Sequence, residues 1–197
     1  MHFMTINEFR YVIGVQEEIL LGLQLWQAKI TEYINLYYQG DIENAKNTIF
    51  YGCVSKTREL YSYLLSRPED YRSAIDDQGL LACACIIQPT DIYLDNGEVL
   101  QGLEIEHLTN SPWNTLLYPQ PETRKGSATS LVEELVKESQ ALGFSGILKA
   151  VTVPSVREFY KNIGFVEDNG TGWMTLTSDA AESFLNIQLL RRRNNHE

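Results

Sequence analysis

Residues 146–151 read Gly-Ile-Leu-Lys-Ala-Val, and residues 156–165 read Val-Arg-Glu-Phe-Tyr-Lys-Asn-Ile-Gly-Phe; together they decide the fold. The first stretch is a short apolar run behind a glycine, the pattern of a strand. The second is helical. Pro154 or Ser155 can open the helix, it runs through Asn162, and Gly164 can end it because glycine takes the left-handed conformation with no Cβ penalty. Read alone, Phe159 and Phe165 are core side chains, and Tyr160 is an aromatic at an interface.

On the N-terminal side of this pair, Gly102 to Thr109 (GLEIEHLT) reads as a strand, and Ser127 to Leu142 as a helix that Gly143 terminates. Further upstream, Tyr71 to Asp76 is a short strand. Leu80 to Ile87 is a near-continuous apolar run, the mark of a strand buried on both faces. Asp95-Asn96-Gly97 is a hairpin turn. On the C-terminal side, Trp173 to Thr177 is a last strand, and Ser178 caps a final helix. Strands alternating with helices predict an α/β architecture of the α+β kind, a mixed sheet covered by helices.

The first third of the chain has a different period. Ile19, Leu23, Trp26, Ile30, Tyr33 and Tyr37 recur in steps of four and three, one stripe of an amphipathic helix from Glu8 to Tyr38. Gly40 can end it and Asp41 can start a second helix, Ile42 to Ser66, with Ile42, Ala45, Ile49, Cys53, Leu60 and Leu64 along one side. Pro68 closes that helix, and the short connection implies an antiparallel hairpin. The expected organisation is a helical N-terminal extension over residues 1–68, packed on a second domain over residues 69–197. The hairpin could also carry a homodimer contact.

The 197 residues suffice for one sizeable core, and 44% hydrophobic with 21% charged residues excludes a disordered chain. A net charge of −10 disfavours nucleic acid and anionic membranes and would attract amines. Arg191-Arg192-Arg193 runs against that trend and reads as a solvated helix end complementing the helix dipole. The apolar stretch Tyr11 to Trp26 holds Glu17 and Glu18, so it is neither a signal core nor a membrane span. The cysteines Cys53, Cys83 and Cys85 are odd in number, which with no secretory signal predicts a reducing, cytoplasmic setting. Cys83 and Cys85 share one face of a strand as core side chains, and no second pair stands at ligand spacing, so no metal is expected.

The stretch Thr123-Arg124-Lys125-Gly126-Ser127-Ala128-Thr129 follows a strand and opens a helix. Its small residues allow close approach to the backbone, and the first-turn N–H groups form an anion site that Arg124 and Lys125 reinforce. Tight helix packing is the competing reading of the same residues. The glycine spacing of a nucleotide P-loop is missing, as is that of a dinucleotide fold.

In this order, GLEIEHLT, the Gly126-Ser127-Ala128 helix start, GILKAV and EFYKNIGF resemble the GNAT acetyltransferase superfamily over roughly residues 80–177. The resemblance implies an acyl-CoA-dependent N-acyltransferase. Acetyl-CoA or a longer acyl-CoA would be the co-substrate, and the acceptor would be an amine of a small molecule or peptide. It places the CoA pyrophosphate at Arg124, Lys125, Gly126, Ser127, Ala128 and Thr129. The pantetheine arm would lie along the backbone near Leu108 and Thr109, where strand GLEIEHLT splays from GILKAV. Thr123 stands where the family has Arg or Gln, and Val153 and Val156 replace its usual Asn and small residue. Tyr160 takes the place of the tyrosine that protonates the departing thiolate. Glu104 is the first candidate base for the amine and Glu106 the second, with His107 at similar odds; alternation puts His107 on the opposite face. The resemblance also implies that a backbone N–H near Leu108 stabilises the oxyanion. Trp113 and Asn114 lie in an unusually long connection, where they either line the acceptor or acyl pocket or simply order the loop. The alternative function is a non-catalytic acyl-CoA-binding or protein-interaction module on the same scaffold.

Overall fold

The structure is a computed structural model that describes residues 9–93, 97–168 and 170–194. The chain divides into two compact units, one holding Phe9–Ile86 and His107–Leu131, the other Ile87–Glu106 and Val132–Glu197. Strands hydrogen-bond in the order Arg10–Ile13 (β1), Tyr71–Ile75 (β2), Leu81–Tyr93 (β3), Val99–Asn110 (β4), Leu148–Val151 (β5), Trp173–Leu176 (β7) and Val166–Glu167 (β6). Of the expected hairpin turn, Asp95 and Asn96 lie outside the described residues.

The first unit contains β1 (Arg10–Ile13), α1 (Glu17–Tyr37), α2 (Ile49–Tyr63), β2 (Tyr71–Ile75) and the start of β3 (Leu81–Tyr93). It also holds the end of β4 (Val99–Asn110) and the start of α3 (Ser127–Ala141). β1 pairs antiparallel with β2, and β2 with β3. The stripe of α1 is buried at Ile19, Leu23, Trp26, Ile30 and Tyr33 and ends a turn early, since Tyr37 is 39% exposed. It packs with Tyr71, Ile75, Leu81 and Ile86 of the sheet in one apolar cluster. Trp26 Nε1 donates to the Leu81 carbonyl at 2.9 Å, so the indole is paired as well as buried. Gly22 permits this approach: a Cβ there would lie 2.5 Å from the Leu81 Cβ.

Two expectations fail here. The long helix begins at Glu17. Arg10–Ile13 instead form β1, which adds to the edge of β2 and satisfies its backbone groups there, a tertiary pairing that local periodicity cannot reveal. The second helix is also not continuous. Ile42–Ala45 make one 3₁₀ turn, Asn47 takes φ +70°, and the Thr48 hydroxyl accepts from the Tyr51 N–H at 3.1 Å to cap a fresh helix. The restart rotates the face, so Phe50 is buried while Ile49 is 52% exposed.

In the second unit, the rest of β3 and β4 join β5 (Leu148–Val151), β7 (Trp173–Leu176) and a two-residue β6 (Val166–Glu167) that periodicity did not predict. β4 and β5 run parallel, with Leu103 opposite Leu148 and Ile105 opposite Ala150, while β5 and β7 are antiparallel. The rest of α3, with α4 (Arg157–Ile163) and α5 (Ser178–Asn194), completes the unit. Arg192 does not simply end in solvent: it grips the buried carboxylate of Glu133 with both terminal nitrogens, one at 2.8 Å.

Cys53, Cys83 and Cys85 are buried free thiols. Among the described residues no helix is long and apolar enough to cross a membrane, and no group of three or more acidic, His or Cys side chains could hold a metal.

Candidate functional site

The residues singled out from the sequence fall in both units. In the first unit, β4 reaches its end through a break in alternation. Leu103 and Ile105 are buried and Glu104 and Glu106 half-buried, but His107 is half-buried too, and Leu108 and Thr109 are both buried. His107 has φ +55°, which an L side chain rarely adopts and which marks an irregular kink in the strand. Its ring stacks on Tyr63 at 5.6 Å. The kink re-aims the peptide groups around Leu108, where the pantetheine contact is expected.

Helix α2 lies beside this stretch. Its residues 53, 56, 60 and 63 share a face. Cys53 Sγ stands 3.4 Å from the Asn110 carbonyl, and Lys56 Nζ donates to the Leu108 carbonyl at 2.8 Å. Burial pushes the Cys53 thiol up and pulls the Lys56 ammonium below its ordinary value. Lys56 escaped the sequence reading. The signal was present, since the stripe passes from Cys53 to Leu60 and the step it misses is a lysine.

Ser127 is buried, and its hydroxyl bonds Asn110 Oδ1 at 2.9 Å, tying the first residue of α3 to the last of β4. Gly126 has φ +93°, and a Cβ there would meet nothing within 4 Å, so tight packing is not why glycine stands at this position. Its carbonyl accepts the Ser130 N–H at 2.8 Å, the first helical bond. The N–H groups of Ser127, Ala128 and Thr129 therefore fall in the turn that has no intrahelical acceptors. Lys125 is exposed. Arg124 is more committed: Nε meets Asp77 Oδ1 at 3.1 Å, and its Nη1 donates to the carbonyls of Pro121 and Thr123.

The long connection is a closed loop. Asn114 Oδ1 accepts the Arg124 N–H at 2.8 Å, and the Thr123 hydroxyl donates to the Trp113 carbonyl at 3.1 Å. Thr123, which the GNAT resemblance sets where Arg or Gln is expected, is thus a loop clasp. Trp113 is wholly buried in the cluster with α1 and α2. Trp113 Nε1 and Asn114 Nδ2 are both buried with no partner among the described residues.

In the second unit, Glu104 stands opposite Lys149 across the β4–β5 pairing, and Lys149 Nζ sits 4.4 Å from the centre of the Trp173 ring. Tyr160 is on α4, which Gly164 ends with φ +117°. Its ring is buried, with Phe159 and Phe165 edge-on at 5.1 Å each. Phe165 is core, whereas Phe159 is only half-buried.

No protein-family model matches the chain, and no curated protein matches it in sequence. Solved structures do match in shape. One is a mutant of the AtaT toxin bound to the C-terminus of the antitoxin AtaR and acetyl-CoA. It has a TM-score of 0.51 and 9% identity, and covers 66% of this chain and 83% of that one. Another is AtaT complexed with acetyl-methionyl-tRNAfMet, with a TM-score of 0.50 and 11% identity, covering 66% and 85%. The chain has the GNAT acetyltransferase fold.

Proposed function

We propose that the protein is an acyl-CoA-dependent N-acyltransferase. The observation that carries this reading is the joint between β4 and α3. There, a kinked strand end is bound through Asn110 and Ser127 to a helix start whose glycine is open to solvent. An N-terminal turn with free N–H groups suits the CoA pyrophosphate, and the re-aimed peptides at Leu108 and Thr109 suit the amides of pantetheine. Ser127, Ala128 and Thr129 act through their backbone and Lys125 through its charge. Arg124 mainly holds the loop, given its bonds to Asp77 and two carbonyls.

The acyl group would pass by direct attack of an amine on the thioester. Tyr160 is the proposed acid for the departing thiolate, and Glu104 or Glu106 the proposed base. Phe159 and Phe165 support that role for Tyr160 by fixing its ring direction. The unpaired Asn114 Nδ2 favours Asn114 as a polar contact of the acceptor pocket, whereas Trp113, wholly buried in the helical cluster, orders the loop. AtaT itself has been solved with a tRNA and with the C-terminus of an antitoxin. A chain of net charge −10 is poorly suited to a phosphate backbone, so a small or peptidic amine is the better acceptor here.

Calorimetry with acetyl-CoA tests the site. Gly126→Asn and Gly126→Asp share the same positive-φ strain and differ only in charge. The Asp variant should bind at least tenfold more weakly than the Asn variant, about 1.4 kcal/mol. Equal affinities would remove the pyrophosphate from this turn. Tyr160→Phe should slow turnover about 10²–10⁴-fold while acyl-CoA still binds. Normal turnover by that variant would end the role assigned to Tyr160.

A further inference from the structure

Lys56 stands apart from the other lysines. Lys29, Lys46, Lys137 and Lys161 each meet a carboxylate, at 3.1, 3.8, 2.7 and 3.2 Å for the nearest oxygen, Lys149 sits over Trp173, and Lys125 is exposed to solvent. Lys56 has no carboxylate partner among the described residues, in a chain with ten more acidic than basic side chains. Its nitrogen is drawn inward to the Leu108 carbonyl at 2.8 Å. The ionisable groups that act on it are the thiols of Cys53 on its own helix and Cys83 on β3. A partly buried ammonium with one carbonyl acceptor and no counter-charge is a costly arrangement.

We propose that the ε-amine of Lys56 is itself an acyl acceptor, taking the acyl group from a thioester held along Leu108 and Thr109. This rests on the acyl-CoA reading above and names one amine for it. Neutral Lys56 Nζ attacks the thioester carbonyl carbon. The new C–N bond forms, the C–S bond breaks, and the proton lost by the amine goes to the CoA thiolate, directly or through water. The products are acyl-lysine and free CoA thiol.

Two physical arguments favour this lysine over those on the surface. Burial disfavours the ammonium, so a larger fraction is the nucleophilic amine at neutral pH. The product also suits the site better than the reactant. An acyl-lysine amide keeps one N–H, which can still donate to the Leu108 carbonyl, and the uncompensated buried charge is gone.

The test uses the full chain and acetyl-CoA at a concentration shown by calorimetry to saturate it. Intact mass and peptide mapping should find one acetyl group, on Lys56, forming at least tenfold faster than on Lys29, Lys137 or Lys161. The modified protein should melt at a higher temperature than the unmodified one. Acetyl phosphate, which lacks the pantetheine arm, should show no preference for Lys56. Lys56→Arg should lose the fast acetylation, and Lys56→Gln serves if that variant does not fold. Bound acetyl-CoA with no acetyl on Lys56 would overturn the lysine proposal and leave the acyl-CoA reading standing. So would acetylation spread evenly over the surface lysines, or equal selectivity from acetyl phosphate. Absence of acetyl-CoA binding would overturn both.

Discussion

Two charges withdrawn from solvent, one buried and one partly so, are handled in opposite ways in this chain. In the unit built on α3 and α5, the Glu133 carboxylate is enclosed by Arg192 and Lys137, the lysine at 2.9 Å. Burial alone would raise its pKa, but the hydrogen bonds from Arg192 and Lys137 hold it below the ordinary carboxylate value. In the unit built on α1 and α2, Lys56 has a carbonyl and two thiols for company, and burial pulls it down against only the two thiols, with no carboxylate opposing. Evolution can complete a network, as at Glu133, and the result is structural glue. A charge left incomplete beside a kinked strand is better explained by what it meets during function.

Removing what encloses Lys56 should have the largest effect. A chain beginning at residue 68 loses β1, α1 and α2, which cover Tyr71, Ile75, Leu81 and Ile86. It should fail to give a soluble, cooperatively melting monomer by circular dichroism and gel filtration. A stable monomer would show that the 1–68 extension is an ornament and that Lys56 has no built environment. A milder lesion in the same cluster is Trp26→Ala. It empties a fully buried site and leaves the Leu81 carbonyl without its donor, for a cost of about 3–5 kcal/mol in urea unfolding. A cost under about 1 kcal/mol would mean the helices are loosely held.

Next in size is Arg192→Met. Glu133 keeps Lys137, and the Arg192 side chain is 43% exposed, so the expected loss at pH 7 is only about 1–2 kcal/mol. Because the folded pKa of Glu133 lies below the unfolded one, its contribution is complete above the unfolded pKa of about 4.3. It fades as pH falls through the folded value, so the gap between variant and parent should close in acid. A gap that is independent of pH would assign the loss to packing alone.

Lys56→Met should change stability least at neutral pH, since removing an uncompensated charge offsets the lost bond to Leu108. Its signature is the pH slope. The folded pKa of Lys56 lies below the unfolded one, so the unfolded chain binds more protons between the two values. The parent should therefore gain stability relative to the Met variant as pH rises from the lowered folded value towards about 10.4, the ordinary lysine pKa. Parallel melting curves across that range would show that the ammonium is well solvated.

How much of this could be read in the sequence depended on whether the cause was local. The α1 stripe, the strand at Leu80–Ile87, the glycine stop at Gly164 and the helix start at Ser127 were legible, because period, β-propensity and capping act within a few residues. The same locality made the order GLEIEHLT, helix, GILKAV, helix readable as a GNAT-like chain, and the fold agrees.

What tertiary structure alone decided involves partners far apart in the chain. β1 exists because β2 offers an edge some sixty residues away, and its four residues have no period to announce it. The face of α2 turned because Thr48 restarted the helix, so the stripe predicted through Ile49 runs through Phe50 instead. His107 reads as an alternating strand residue, but its positive φ breaks the alternation and sets the direction of the peptides at Leu108 and Thr109. Lys56 acquires meaning only when α2 places its nitrogen on the Leu108 carbonyl, fifty-two positions along the chain. A sequence names the residues that can ionise; only packing decides which of them is left in low dielectric without a counter-charge.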